Sequence, residues 1–230
     1  MTQTLSAADL EALRRFDTAT VSNAIEHFEV RDRTVGYSSN ELICQFPALK
    51  PMVGYAVTAT KDTTRPGDTR PSRVVDLVNL ISQSTKPSVL VIQYVGDDRR
   101  RSCFVGDMSC LMLDRLGGVG VVMDGNARDQ AGIREKTPHF QMFCPGWVAS
   151  HGYGCYLDFN VPVSICGLDI RPGDLLHGDA NGLITIPHEI APEVAQQAQV
   201  VCNVEGQFFK LLQTDPLDTE ELRRRISPGH

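Results

Sequence analysis

One helix–strand unit, from Gly106 to Asp129, constrains this chain more than any other stretch. Gly106-Asp107-Met108-Ser109 opens a short helical pattern, which Gly117-Gly118-Val119-Gly120 breaks. Val121-Val122-Met123 then runs as a buried strand would, and Asp124-Gly125-Asn126-Ala127-Arg128-Asp129 follows. The unit predicts Asp107 at a helix start and Arg128-Asp129 just past the carboxyl end of a strand. Open α/β sheets build their sites beyond those ends. Carboxylates there suit a hard divalent cation, and an arginine fork suits a carboxylate or an enolate. Each residue also has a plain structural reading. Asp107 can cap its helix, and Arg128-Asp129 can be a surface ion pair worth about 0–1 kcal/mol. For Asp124-Gly125 the turn reading is preferred: Asp124 shapes the turn and Gly125 permits it.

The rest of the chain supplies the elements around this unit. Residues 6–16 read as a helix, with Ser6 and Asp9 as a capping box and Leu10, Leu13 and Phe16 on one side. A second helix follows Asp17-Thr18, with Val21, Ala24, Ile25 and Phe28 as its apolar stripe. Residues 30–51 read as an irregular connection interrupted by Pro47 and Pro51. Val53 to Thr60 is a strand, and Thr63 to Pro71 a turn-rich loop. Ser72 is expected to cap a helix whose inner face is Val74, Leu77, Val78 and Ile81. Val89-Leu90-Val91-Ile92 is a strand covered on both faces. Gly96 to Arg101 is a polar loop whose three arginines read as a solvated face, with a share in binding an acidic substrate as the alternative.

Past Asp129, a helical turn through Ile133, a strand over His139–Phe143 and a loop over Pro145–Gly154 are expected. Strands over Tyr156–Val163 and Val163–Ile170 come next, then a hairpin around Asn181-Gly182. A long helix over 191–212 and a short one capped by Thr219 end the chain. The order describes an α/β core with an antiparallel, β-rich second half and no linker between independent domains.

Composition excludes several classes. A net charge of −6 disfavours nucleic acid and anionic membranes as partners. No apolar run reaches the roughly 20 residues of a membrane span, and Met1-Thr2-Gln3-Thr4 lacks the start of a signal peptide. The 7 cysteines form no C-x-x-C pair, which argues against structural zinc and for a reduced, cytoplasmic protein. The 6 histidines show no zinc-type spacing. Gly117–Gly120 does not open a helix, so a dinucleotide fingerprint has little support.

Asp107 followed at a fixed distance by Arg128-Asp129 resembles the signature of the class II pyruvate aldolases, typified by 4-hydroxy-4-methyl-2-oxoglutarate/4-carboxy-4-hydroxy-2-oxoadipate aldolase. That superfamily also holds the regulator of ribonuclease activity A. The blocks Asp17–Ala24, Val53–Thr58, Gly118–Gly125, Val161–Val163 and Arg171–Gly182 extend the likeness over about residues 10–212. The resemblance implies an α/β fold of the swivelling β/β/α, phosphohistidine-domain-like type. It would be one domain over 1–230, with a C-terminal helical extension over 191–226. It also implies homotrimers or homohexamers with active sites between subunits, and Mg²⁺ or Mn²⁺ as cofactor.

On matching positions, Asp129 would ligate the metal and Asp107 would reach it through water. Arg128 would bind a small 2-oxo acid, and the backbone N–H groups of Met108 and Ser109 its carboxylate. Glu205 would reach the metal's water shell from a neighbouring subunit. The implied activity is retro-aldol cleavage of 4-hydroxy-2-oxo diacids, oxaloacetate decarboxylation, or both, through a pyruvate enolate. The alternative is a non-catalytic protein-binding regulator of ribonuclease E type. That branch, as the resemblance goes, lacks the aspartate after the arginine, so Asp129 favours the enzyme. Asn23, where the family commonly has aspartate, the segment 30–50 and Asp97–Arg101 depart from the pattern, and they leave the far end of the substrate open.

Overall fold

The computed structural model describes residues 4–226; Met1 to Gln3, part of the stretch read for a leader, lie outside the described residues. The chain begins with α1 (Ala7–Leu13) and α2 (Thr18–Glu26). Both are capped as their sequences predict. Ser6 and Asp9 form a reciprocal capping box, and the Asp17 side chain accepts from Thr20 N at 2.7 Å. The connection through the thirties and forties is irregular apart from β1 (Ile43–Cys44).

Next come β2 (Met52–Asp62), α3 (Val74–Gln83), β3 (Ser88–Tyr94) and a 3-10 turn over Arg99–Arg101. The helix α3 is not capped by Ser72. Its N-cap is Arg73 in the left-handed region (φ 56°), without a side-chain cap bond. Leu77 and Ile81 are buried as expected, whereas Val74 at the first turn is exposed. The arginine run is mostly solvated: Arg99 pairs with Glu41 at 3.2 Å, and Asn126 Nδ2 donates to the turn's carbonyls.

The middle of the chain forms β4 (Cys103–Val105), α4 (Asp107–Arg115), β5 (Gly118–Met123), β6 (Asn126–Ala127), α5 (Gln130–Lys136) and β7 (Gln141–Cys144). The last part forms β8 (Cys155–Phe159), β9 (Val163–Ile165), β10 (Leu168–Ile170), β11 (Leu175–Asp179), β12 (Gly182–Ile186), α6 (Ala191–Leu212) and α7 (Thr219–Ile226). Asp179 pairs with Gly182, so the β11–β12 hairpin turns on Ala180-Asn181, one residue before the expected pair. Asp218, not Thr219, accepts from the first turn of α7.

The main sheet runs β1-β7-β5-β3-β2-β11-β12, with β8 alongside β2. Its four inner strands β7, β5, β3 and β2 are mutually parallel. The flanking pairs are antiparallel. Parallel strands need covering on both faces, and the alternation of side chains shows how. Leu90, Ile92, Val121 and Met123 face Leu77 and Ile81 of α3, Leu113 of α4 and Ile133 of α5. Val89, Val91 and Val122 face the opposite way, onto β9 and β10. A third cluster joins α1, α2 and α6 to β2, β11 and β12. None of the described helices is long and apolar enough to cross a membrane.

That third cluster is pinned by a buried polar network. His177 on β11 is fully buried. Its Nε2 lies 3.2 Å from Leu13 O, which fixes the proton there, so Nδ1 accepts from Thr18 Oγ1 at 3.0 Å. Thr18 N in turn donates to Asp179 Oδ2 at 2.9 Å. Burial pushes the His177 pKa below its ordinary 6.5. The unfolded chain therefore binds a proton that the folded chain refuses, and stability is lost as pH falls from about 6.5 toward the folded value. Urea unfolding between pH 7.5 and 5 is expected to show this slope. A His177→Gln variant should be less stable at pH 7.5 by about 1–3 kcal/mol but flatter with pH. An unchanged slope in the variant counts against His177 as the source.

Candidate active site

Two very short strands carry the site. β4 and β6 pair in parallel, apart from the main sheet, and Arg128 N continues their ladder by donating to Val105 O at 3.1 Å. Gly106-Asp107 leaves the carboxyl end of one strand and Arg128-Asp129 leaves that of the other. Asp107 is the first residue of α4, after Gly106 as N-cap. Asp129 is the N-cap of α5 and sits in the left-handed region at φ 62°, which aspartate tolerates better than most residues. Both functional segments thus lie at helix starts, where the backbone favours anions.

The two halves meet closely. The Arg128 guanidinium Nε lies 3.2 Å from Asp129 Oδ2, with both side chains about one-third exposed. Asp129 Oδ2 rests over Gly106, where a Cβ would come within 2.4 Å of it. Asp107 Oδ2 accepts from Lys136 Nζ of α5 at 2.7 Å, and its Oδ1 accepts from Met108 N at 2.7 Å. The Lys136 hydrogen bond, helped by the Met108 N–H and the Arg128 charge, holds the Asp107 carboxyl below the usual carboxylate range. Gly132 makes the approach of α5 possible, since a Cβ there would meet Asp107 Oδ2 at 2.8 Å.

Asp107, Met108, Ser109, Arg128 and Asp129 all line one cleft of about 320 Å³. Among the candidates, Met108 N–H is engaged by Asp107 rather than free. Glu205 lies elsewhere on the chain: it accepts from Asn23 Nδ2 at 3.3 Å and lines an apolar depression with Phe208 and Phe209. Asp124 keeps its turn role. Its Oδ1 accepts from Tyr94 N at 2.6 Å, and burial raises its pKa to about 6.

The cleft also holds residues that the motif does not point to: Lys61, His151 and Tyr153. Tyr153 and Gly154 follow a glycine that brings their loop against β2. At Gly152 (φ 56°) a Cβ would fall 2.0 Å from Thr63 O, the carbonyl that accepts from Tyr153 N at 3.0 Å. Lys61 ends β2 on the same side as the other site residues. The available signal was a charged pair, Lys61-Asp62, closing an otherwise uncharged strand whose every residue is buried.

The donor set can be tested against a divalent ion. Among the described residues, no three His, Cys, Asp or Glu side chains cluster as metal ligands. The chain offers two carboxylates, Asp107 and Asp129, at one cleft. Mg²⁺ commonly takes one or two carboxylates, keeps waters and adds substrate oxygens. The residues present fit that requirement.

A family model described as RraA-like, Aldolase/RraA, matches residues 18–185. A protein of Halalkalibacterium halodurans named "Putative 4-hydroxy-4-methyl-2-oxoglutarate aldolase" is 38% identical over 119 residues, 51% of this chain and 54% of its own length. An uncharacterized protein of Methanocaldococcus jannaschii is 34% identical over 116 residues, 50% of this chain and 54% of its own. The chain therefore spans about half the length of these curated relatives. Among solved structures, Streptomyces coelicolor RraAS2, described as an unusual member of the RNase ES inhibitor RraA protein family, superimposes with TM-score 0.69. It is 23% identical, with 91% of this chain and 98% of that one covered. An uncharacterized protein from Pseudomonas syringae pv. tomato gives TM-score 0.71 at 23% identity, covering 92% and 91%. At these identities the likeness is one of fold.

Proposed function

The chain belongs to the RraA-like, Aldolase/RraA family, and from that premise we propose that it is a divalent-metal-dependent carbon–carbon lyase acting on small 2-oxo acids. The reaction is retro-aldol cleavage of a 4-hydroxy-2-oxo diacid, decarboxylation of oxaloacetate, or both. The observation that carries this reading is the convergence of Asp107, Arg128 and Asp129 on one cleft from two paired strand ends.

Both reactions leave a pyruvate enolate, so the demand on the protein is negative charge developing at the 2-oxo oxygen. Arg128 meets it with fixed positive charge placed before the reaction begins. Its partner Asp129 orients the guanidinium and, with Asp107, supplies the carboxylates for Mg²⁺ or Mn²⁺. Such an ion, when bound, contributes Lewis-acid stabilisation of that oxygen. The N-terminus of α4 would receive the substrate carboxylate through the backbone N–H groups of Ser109 and Met108, the latter now held by Asp107 Oδ1. The Lys136 hydrogen bond holds the Asp107 carboxyl below the usual carboxylate range, so Asp107 Oδ2 acts as a hydrogen-bond acceptor and not as an acid. The trimeric or hexameric assembly, with Glu205 of a second protomer completing the site, is part of the same proposal.

A lactate-dehydrogenase-coupled assay is expected to register pyruvate from oxaloacetate or from a 4-hydroxy-2-oxo diacid with Mg²⁺ or Mn²⁺, and none after EDTA. Silence across a panel of such acids with both metals would sink the lyase reading. Retention of a ribonuclease E C-terminal region by the same inactive protein would then favour a regulator.

A further inference from the structure

We infer that Lys61 is a substrate-binding residue of this cleft: a buried ammonium that takes its counter-charge from an anionic oxygen of the bound acid. The inference rests on the lyase reading and adds to it a second cation besides Arg128.

The position of the ammonium carries the argument. Lys61 is 7% exposed and still lines the cleft that holds Asp107, Arg128 and Asp129. An ammonium has three donors. Among the described residues, Nζ has one hydrogen-bond acceptor, Phe104 O at 2.6 Å, and no carboxylate partner. The ring of Tyr156 lies 4.4 Å from Nζ and that of Phe104 5.7 Å, so aromatic faces line its other sides. Burying a charge without a counter-charge is costly, and an ion that stays buried is normally paired. Among the described residues no carboxylate pairs with it, and its side chain lines the cleft.

The backbone is arranged to keep it there. The β2–β8 pairing slips register between Ala59 and Lys61, placing Lys61 opposite Tyr156. Such irregularities re-aim a side chain and concentrate beside active sites. The bond to Phe104 O also ties Lys61 to β4, the strand that delivers Gly106 and Asp107. Burial lowers the lysine's pKa to about 8, so an arriving anion strengthens a charge that the empty pocket disfavours.

The chemical class that fits is a carboxylate or enolate oxygen, and oxalate with Mg²⁺ is a suitable probe because its two adjoining carboxylates imitate the carboxylate and the enolate oxygen of a pyruvate enolate. Calorimetry on the wild-type chain is expected to show binding, with Lys61→Met at least about tenfold weaker, equivalent to about 1.4 kcal/mol. A second measurement needs no variant to fold. In wild-type protein carrying ¹⁵Nζ-lysine, the Lys61 Nζ resonance is expected to shift on addition of oxalate and Mg²⁺. Equal affinity in a folded Lys61→Met protein, or an unmoved Lys61 resonance in a wild type that binds oxalate, overturns this inference and leaves the lyase reading standing. A wild type that binds no oxalate with Mg²⁺ or Mn²⁺ and also releases no pyruvate overturns both.

Discussion

Asp129→Asn is expected to lower metal-dependent kcat/KM by about 10³-fold, equivalent to about 4 kcal/mol of barrier, while the protein stays folded. Asparagine has the same shape and also tolerates the left-handed backbone that Asp129 adopts at φ 62°. The substitution therefore removes charge and little else. What it removes is one of two carboxylates available to the ion and the partner that orients Arg128 at 3.2 Å. Several kcal/mol of transition-state stabilisation is what a Lewis-acidic ion supplies, which sets the size expected if Asp129 ligates the ion as proposed. The coupled pyruvate assay, run across a Mg²⁺ titration beside a circular dichroism spectrum, reads both properties. Activity within tenfold of wild type would remove Asp129 from the ion's ligands.

Gly106→Ala should separate geometry from stability. The backbone at Gly106 (φ −130°) suits any residue, and alanine at a helix N-cap costs at most about 1 kcal/mol relative to glycine. The difficulty is space: the new methyl would stand 2.4 Å from Asp129 Oδ2 and 3.2 Å from Arg128 Nε. Asp129 must swing away, and the pair with Arg128 goes with it. A displacement of about 1 Å at a reacting centre can cost about 10²-fold in rate. The expected result is a fall in kcat/KM of that order, with a thermal midpoint within a few degrees of wild type. A protein that loses its fold but keeps full activity per folded molecule would show that the contact is not where the strain goes.

The elements that the sequence made legible were those with periodicity or strong caps. α1, α2 and α6 appear with the expected capping residues or boundaries, and β2 and β3 need only a residue or two added at their ends. The unit carrying Asp107, Arg128 and Asp129 was legible because an apolar strand and a glycine break frame it. Its scaffold was not. β4 is three residues long and β6 two, too short for alternation to register, and their pairing is visible only in the ladder between them. Lys61 was missed for a related reason. A charged pair after a β-branched run reads as a strand end, and the slip that turns Lys61 toward the cleft depends on a partner strand nearly a hundred residues away. Lys136 was invisible as a partner of Asp107 because their meeting depends on how α5 packs, with Gly132 at the point of contact.

The small β4–β6 ladder has an implication for how such a scaffold diverges. The reactive groups hang from a bracket bolted beside the central sheet rather than from the sheet itself. Side chains at its tip can therefore be exchanged while the hydrophobic interior stays the same. Replacing one acidic group at its tip would change the charge the bracket presents and leave the sheet's packing unaltered.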